Sequence, residues 1–152
     1  MKTKSEFRKE PTMEHKSDCV FCKIVKGEIP CVKVYEDEIA LVFMDVAPLN
    51  QGHILVIPKN HYESILEMEP ETYGWLNKIV SLGAKAIQTT LKPDGINIMQ
   101  LNGKAANQVV PHVHIHIVPR KFGDGLTISQ WDPIPGSMDD IKSIGETIKR
   151  NF

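Results

Sequence analysis

Long apolar runs are missing from this 152-residue chain. No stretch approaches the roughly 18 consecutive apolar residues of a membrane span, so a membrane-embedded protein is not expected. The polar opening, residues 1–17, lacks the hydrophobic core of a secretory signal, and the expected location is the cytoplasm. Charge of one sign is missing as well. A formal net charge of -1 supplies no overall field to draw the chain to nucleic acid or a membrane surface. Cysteine is scarce: Cys19, Cys22 and Cys31 make an odd set, which argues against a disulfide framework. Internal repeats and low-complexity segments are absent too. What remains is ordinary in bulk. A chain of this length, 41% hydrophobic and 24% charged, builds one soluble domain with a proper core.

The informative stretch is Pro111-His112-Val113-His114-Ile115-His116-Ile117-Val118-Pro119-Arg120. Three of the six histidines stand at every second position, with Val113, Ile115 and Ile117 among them. Such alternation predicts a strand over 111–120, with the imidazoles on one face and the aliphatics on the other. Imidazole is partly charged near neutral pH and needs partners when buried. Three in a row therefore point to chemistry, either a metal site or a nucleophilic and acid–base site.

The rest of the chain reads as alternating strands and helices. Residues 1–17 are charged and aperiodic, and a flexible tail is expected there. Ser17 or Asp18 is placed to cap a short helical turn carrying Cys19, Phe21, Cys22, Ile24 and Val25, ended by Gly27. Residues 32–35 and 39–44 resemble an antiparallel hairpin about an acidic turn. Residues 53–57 read as the next strand, stopped by Pro58. Pro70 to Leu91 is the long helix, with Trp75, Leu76, Ile79, Leu82, Ala86 and Ile87 recurring at helical spacing as its buried stripe. Residues 96–100 alternate as a strand, a polar loop runs over 102–108, and Ser137 caps a terminal helix over 138–150. The fold class is α+β: an antiparallel sheet with one long central helix and a C-terminal helix. Three segments follow: a tail over 1–17, the main domain over 18–125 and a C-terminal extension over 126–152.

The His-x-His-x-His pattern ending in proline and arginine closely resembles the signature of the histidine triad (HIT) family. Phe43-Met44-Asp45, the stretch from Gly52 to Lys59, His61 and the loop from Asn102-Gly103 to Gln108 match that family independently. The resemblance is to its HINT-like prokaryotic type. It implies a HIT-like fold, usually homodimeric, that hydrolyses or transfers nucleotides. The middle histidine, here His114, would attack the α-phosphorus of a nucleoside phosphoramidate or dinucleoside polyphosphate. A nucleotidyl-histidine would form and then yield a nucleoside monophosphate to water. A neutral imidazole suits this, provided an acceptor holds the proton of its other nitrogen.

The resemblance assigns further roles. His116 and Gln108 would donate to phosphoryl oxygens, and His53 would support the histidines from a neighbouring strand. Asn102 would face ribose or phosphate, and Asp45 would accept from the ribose hydroxyls. Phe21, Ile24, Phe43 and Val46 would line the slot for a purine base. One residue departs from the family. The amine-releasing branch often carries a serine after the loop glutamine, and here that residue is Val109. A leaving group that needs a proton is then expected to be served poorly. The C-terminal Trp131 would reach a neighbouring active site.

Cys19-Val20-Phe21-Cys22 together with separated histidines suits a structural Cys2His2 zinc. The resemblance to zinc-bearing members of the superfamily implies Cys19, Cys22, His61 and His112 as its ligands. Cys31 reads as a small buried apolar residue. Three functions stay open at this point: the nucleotide hydrolase, a nucleotide-binding regulatory module with incidental turnover, and a metalloenzyme whose catalytic ion sits on the three histidines.

Overall fold

The alternating and apolar runs become five antiparallel strands in a computed structural model that describes residues 15–127 and 133–152. Strands β1 (Lys33–Glu36), β2 (Ala40–Met44), β3 (Ile54–Pro58), β4 (Gly95–Gln100) and β5 (Ile115–Arg120) stand in the order β1-β2-β3-β5-β4. Helix α1 (Val20–Val25) precedes the sheet, α2 (Pro70–Leu91) links β3 to β4, and α3 (Met138–Lys149) follows β5. The antiparallel sheet, long helix and C-terminal helix are those expected from the sequence.

The two faces of the sheet bury different clusters. Val42, Ile54, Val56, Val113, Ile115 and Ile117 pack against Leu76, Ile79, Val80 and Ile87 of α2. Leu41, Phe43, Leu55 and Ile57 face the other way, with Cys19, Phe21 and Cys22 from the α1 segment. The alternation of β2 and β3 thus feeds both clusters, as a strand covered on both faces must. At Gly83 a Cβ would stand 3.1 Å from Ile117 Cδ1 and 3.3 Å from Ile54 Cδ1. A side chain there would press α2 off the sheet.

The buried stripe of α2 differs from the expected one. It comprises Thr72, Leu76, Ile79, Val80 and Ile87, whereas Leu82 is 51% exposed and Ala86 is exposed. The true stripe is rotated because small residues (Gly83, Ala84) meet the sheet where larger ones would not fit. Helix α1 is capped by Cys19, whose sulfur accepts from the Cys22 amide, and not by Ser17 or Asp18. Residues 15–17 pack on the domain: the Lys16 amide donates to Cys22 Sγ and its ammonium pairs with Glu63. Residues 1–14 of the expected tail lie outside the described residues.

The histidine strand is shorter than its alternation implies. β5 starts at Ile115, so His112 and His114 precede the ladder. The chain diverges there because other partners take its polar groups. The Val113 amide donates to the Tyr62 carbonyl at 2.7 Å, and His112 Nε2 lies 2.9 Å from the Pro58 carbonyl. The face rule survives: Val113, Ile115 and Ile117 join the α2 cluster, and the imidazoles lie opposite. Pro58 is the last residue of β3, where the strand was expected to stop, and Pro119 is accommodated within β5 one residue before its end at Arg120. Every residue of α3 is exposed, and none of the described helices is long and apolar enough to cross a membrane.

Candidate active site

Three histidines and Phe21 form one packed row. Phe21 meets His112 and His114 edge-on, with ring centroids 5.8 and 5.1 Å apart, and His114 meets His116 at 4.9 Å. Phe21 comes from α1 and the imidazoles from β5 and its approach, so the short helix closes over the histidine face. His112 and His114 are buried. Burial drives the His114 pKa below the usual imidazole value. Burial, with the neighbouring His114 and His53, lowers His116 to about 4. Both rings are therefore neutral near pH 7.

The hydrogen bonds decide which nitrogens carry protons. His114 Nδ1 lies 2.6 Å from the His112 carbonyl. A carbonyl only accepts, so Nδ1 bears the proton and Nε2 keeps its lone pair. His112 Nε2 is likewise committed to the Pro58 carbonyl, leaving its Nδ1 free to ligate. On the other side, His53 Nε2 lies 2.9 Å from His116 Nδ1 and 3.6 Å from Asp45 Oδ2. Asp45 holds its loop by accepting from the Ala47 amide at 2.9 Å.

A cleft of about 500 Å³ opens beside these rings. His53, His114 and His116 line it with Asp45 and with the expected apolar residues Phe21, Ile24, Phe43 and Val46. Its walls are apolar and its polar groups few, the usual character of a small-molecule site. The sequence reading missed Cys31, which lines the cleft and is half-buried, not buried. It also missed Leu49, whose amide reaches His53. No motif marks a main-chain donor; only the turn that returns residue 49 to residue 53 brings them together. Val109, 88% exposed, stands at the cleft's rim.

Gln108 and Asn102 are placed differently from the other expected residues. The Gln108 amide accepts from Gly103 N and donates to the Glu63 and Val110 carbonyls. Asn102 accepts from the Ile65 amide and exchanges bonds with Gln100. Here both side chains tie the 101–110 loop to the 63–65 segment. Trp131 lies outside the described residues.

Cys19, Cys22, His61 and His112 gather with their ligand atoms within 4.8 Å of one another. His112 Nδ1 stands 3.4 Å from Cys19 Sγ and 3.6 Å from Cys22 Sγ, and His61 Nδ1 stands 3.3 Å from Cys22 Sγ. A tetrahedral zinc with its ordinary bond lengths would set sulfur–nitrogen edges of about 3.5 Å. Burial pushes the Cys22 thiol pKa up, so a thiolate there calls for a cation. The donor set, spacing and free His112 Nδ1 all fit a structural metal.

Comparison with known proteins agrees with this geometry. A family model described as HIT domain matches residues 26–123, a span that leaves the CxxC outside. The chain is 44% identical over 131 residues to adenosine 5'-monophosphoramidase of Schizosaccharomyces pombe, covering 86% of this chain and 95% of that one. It is 46% identical over 114 residues to an adenylylsulfatase of Arabidopsis thaliana, covering 75% of this chain but 58% of the relative. A HIT family protein of Bacillus anthracis superposes with a TM-score of 0.85 at 36% identity, covering 90% of this chain and 98% of that one. A zinc-bound histidine triad family protein of Mycobacterium smegmatis gives 0.70 at 42% identity, covering 77% and 84%.

Proposed function

Since the chain belongs to the HIT domain family, we propose that it hydrolyses purine nucleotide derivatives at the α-phosphate through His114, releasing a nucleoside monophosphate. Relatives named for adenosine 5'-monophosphoramidase and adenylylsulfatase activity support nucleotide hydrolysis as the reaction class. The observation that carries the histidine step is the 2.6 Å contact from His114 Nδ1 to the His112 carbonyl. It turns Nε2 into a neutral nucleophile on a ring that lines the cleft.

The base occupies the slot formed by Phe21, Ile24, Phe43 and Val46, and the Asp45 carboxylate accepts from the ribose hydroxyls. The His114 Nε2 lone pair forms a bond to phosphorus. The bond to the leaving group breaks, and that group departs with the electron pair, taking a proton from solvent if it is an amine. His116 donates a hydrogen bond to the charge that develops on oxygen. Water then attacks phosphorus, the P–N bond returns its electrons to Nε2, and the water proton leaves to solvent. Gln108 and Asn102 serve by shaping the loop beside the phosphates. Zinc held by Cys19, Cys22, His61 and His112 fastens the α1 segment to the approach of β5 and supplies no chemistry to the reaction. A homodimer fits the unpaired edge of β4.

The test is AMP release from adenosine phosphoramidate and from a diadenosine polyphosphate, wild type against His114→Ala. A loss of about 100-fold or more in the variant is expected. Tight AMP binding without turnover in the wild type would instead favour a nucleotide-binding module.

A further inference from the structure

Two groups of metal-competent side chains flank His114: the Cys19, Cys22, His61 and His112 cluster, and a second one of Asp45, His53 and His116. In each, the ligand atoms lie within 4.8 Å of one another. Two imidazoles and a carboxylate beside an open cleft are a common donor set for zinc or iron. The hydrogen bonds around the second group nevertheless forbid that use.

The Leu49 amide donates to His53 Nδ1 at 3.0 Å. An amide nitrogen is only a donor, so His53 Nδ1 carries no proton. A neutral imidazole must then carry its proton on Nε2. That nitrogen lies 2.9 Å from His116 Nδ1, which must accept, and the remaining proton of His116 sits on its Nε2. One main-chain amide thus sets the tautomers of two rings in series. The reverse arrangement, with His116 donating to His53, would leave His53 without a proton on either nitrogen. That is an imidazolate, a form that a neutral imidazole reaches only far above neutral pH.

We propose that the Leu49 amide, acting through His53, holds His116 as an Nε2–H donor and bars divalent metal from the Asp45–His53–His116 cluster. To ligate through Nε2, His53 would have to move its proton to Nδ1, where the Leu49 N–H already points. Two donors would then face each other across 3.0 Å. The contrast with His112 is direct. Its Nε2–H goes to the Pro58 carbonyl, and its Nδ1 lone pair faces the two sulfurs. His112 and His53 share the Nε2–H tautomer, and the group that faces Nδ1, sulfur in one ring and an amide N–H in the other, sends metal to one cluster and keeps the other as a donor. His53 is a positioning residue in this scheme. The use of the His116 proton on a phosphoryl oxygen rests on the hydrolase reading, but the tautomers do not.

The experiment is long-range 1H–15N correlation of the histidine rings in the full, zinc-loaded chain near neutral pH. His53 and His116 are each expected as a single Nε2–H tautomer. An Nδ1–H tautomer at either ring would overturn the proposal. In His53→Asn the side-chain oxygen can still accept from Leu49, but the shorter side chain has no donor where the His53 Nε2–H met His116. His116 should then show mixed tautomers, with kcat lower by about 100-fold and KM within a few-fold. A His116 spectrum unchanged in this variant would refute the relay. Further zinc added to the loaded wild type should leave both rings unshifted, whereas Leu49→Pro, which lacks the amide proton, should take up another equivalent at them. Zinc binding to these rings in the wild type would sink the exclusion. Should the chain prove inactive on nucleotides, the spectra still decide the tautomers.

Discussion

The ring of His114 is held by the main chain of His112: Nδ1 donates to the His112 carbonyl at 2.6 Å. The same His112 presents its Nδ1 to Cys19 and Cys22. The proposed nucleophile is thus oriented by a residue whose side chain belongs to the metal-competent cluster. A metal held at the cysteines would therefore be coupled to the pose of His114 through this one residue.

That coupling predicts the behaviour of Cys22→Ser. Bound zinc, measured on protein purified without chelator, should fall from one equivalent to none. Folding stability should drop by about 3 kcal/mol or more, because a ligand that binds only the folded state is lost. Turnover should fall with it, although no step passes through the ion. Full activity in a zinc-free, folded variant would break the coupling.

Asp45 and the ribose give a second prediction. If the carboxylate accepts from the sugar hydroxyls, Asp45→Ala should raise KM for a ribonucleotide substrate by about 10- to 100-fold, the worth of one or two bonds to a charged group. The 2'-deoxy analogue should lose much less. Equal losses on both sugars would assign Asp45 to His53 alone.

Val109 stands at the rim of the cleft without a polar group. Val109→Ser places a hydroxyl where a departing amine needs a proton. The rate on adenosine phosphoramidate should rise about tenfold relative to the rate on a diadenosine polyphosphate, whose leaving group needs less help. Steady-state comparison of the two substrates reads this ratio directly.

The buried imidazoles predict how stability follows pH. His116 binds its proton at about 4 in the folded chain and near 6.5 when unfolded, and burial lowers His53 in the same direction. Between those values the unfolded chain holds more protons, so stability rises with pH through this window and is lost as pH falls from about 6.5 toward 4. Each excess proton contributes a slope of about 1.4 kcal/mol per pH unit. Denaturant midpoints at several pH values measure it, and His116→Asn should flatten the curve. An unchanged slope in that variant would place the effect elsewhere.

Much of this was legible in the chain itself. The alternation of histidine with Val113, Ile115 and Ile117 determined which residues face α2 and which face Phe21, because side-chain direction in an extended chain depends only on local geometry. The bounds of α2 followed from Pro70 and the helical spacing after it. Cys19, Cys22, His61 and His112 were nameable as a set through resemblance, and the fold brings them within ligand distance. Other features depend on contacts between distant segments. Where β5 begins depends on Tyr62 and Pro58 taking the polar groups of residues 112 and 113. The buried stripe of α2 depends on how closely Gly83 lets the helix approach Ile117. The proton positions on His53, His114 and His116 depend on a main-chain amide and a carbonyl, groups that every residue carries and no sequence pattern singles out. The sequence alone determined which side chains stand at the cleft; the tertiary structure decided which nitrogen of each ring keeps its lone pair, because a tautomer is set by the partner across the fold.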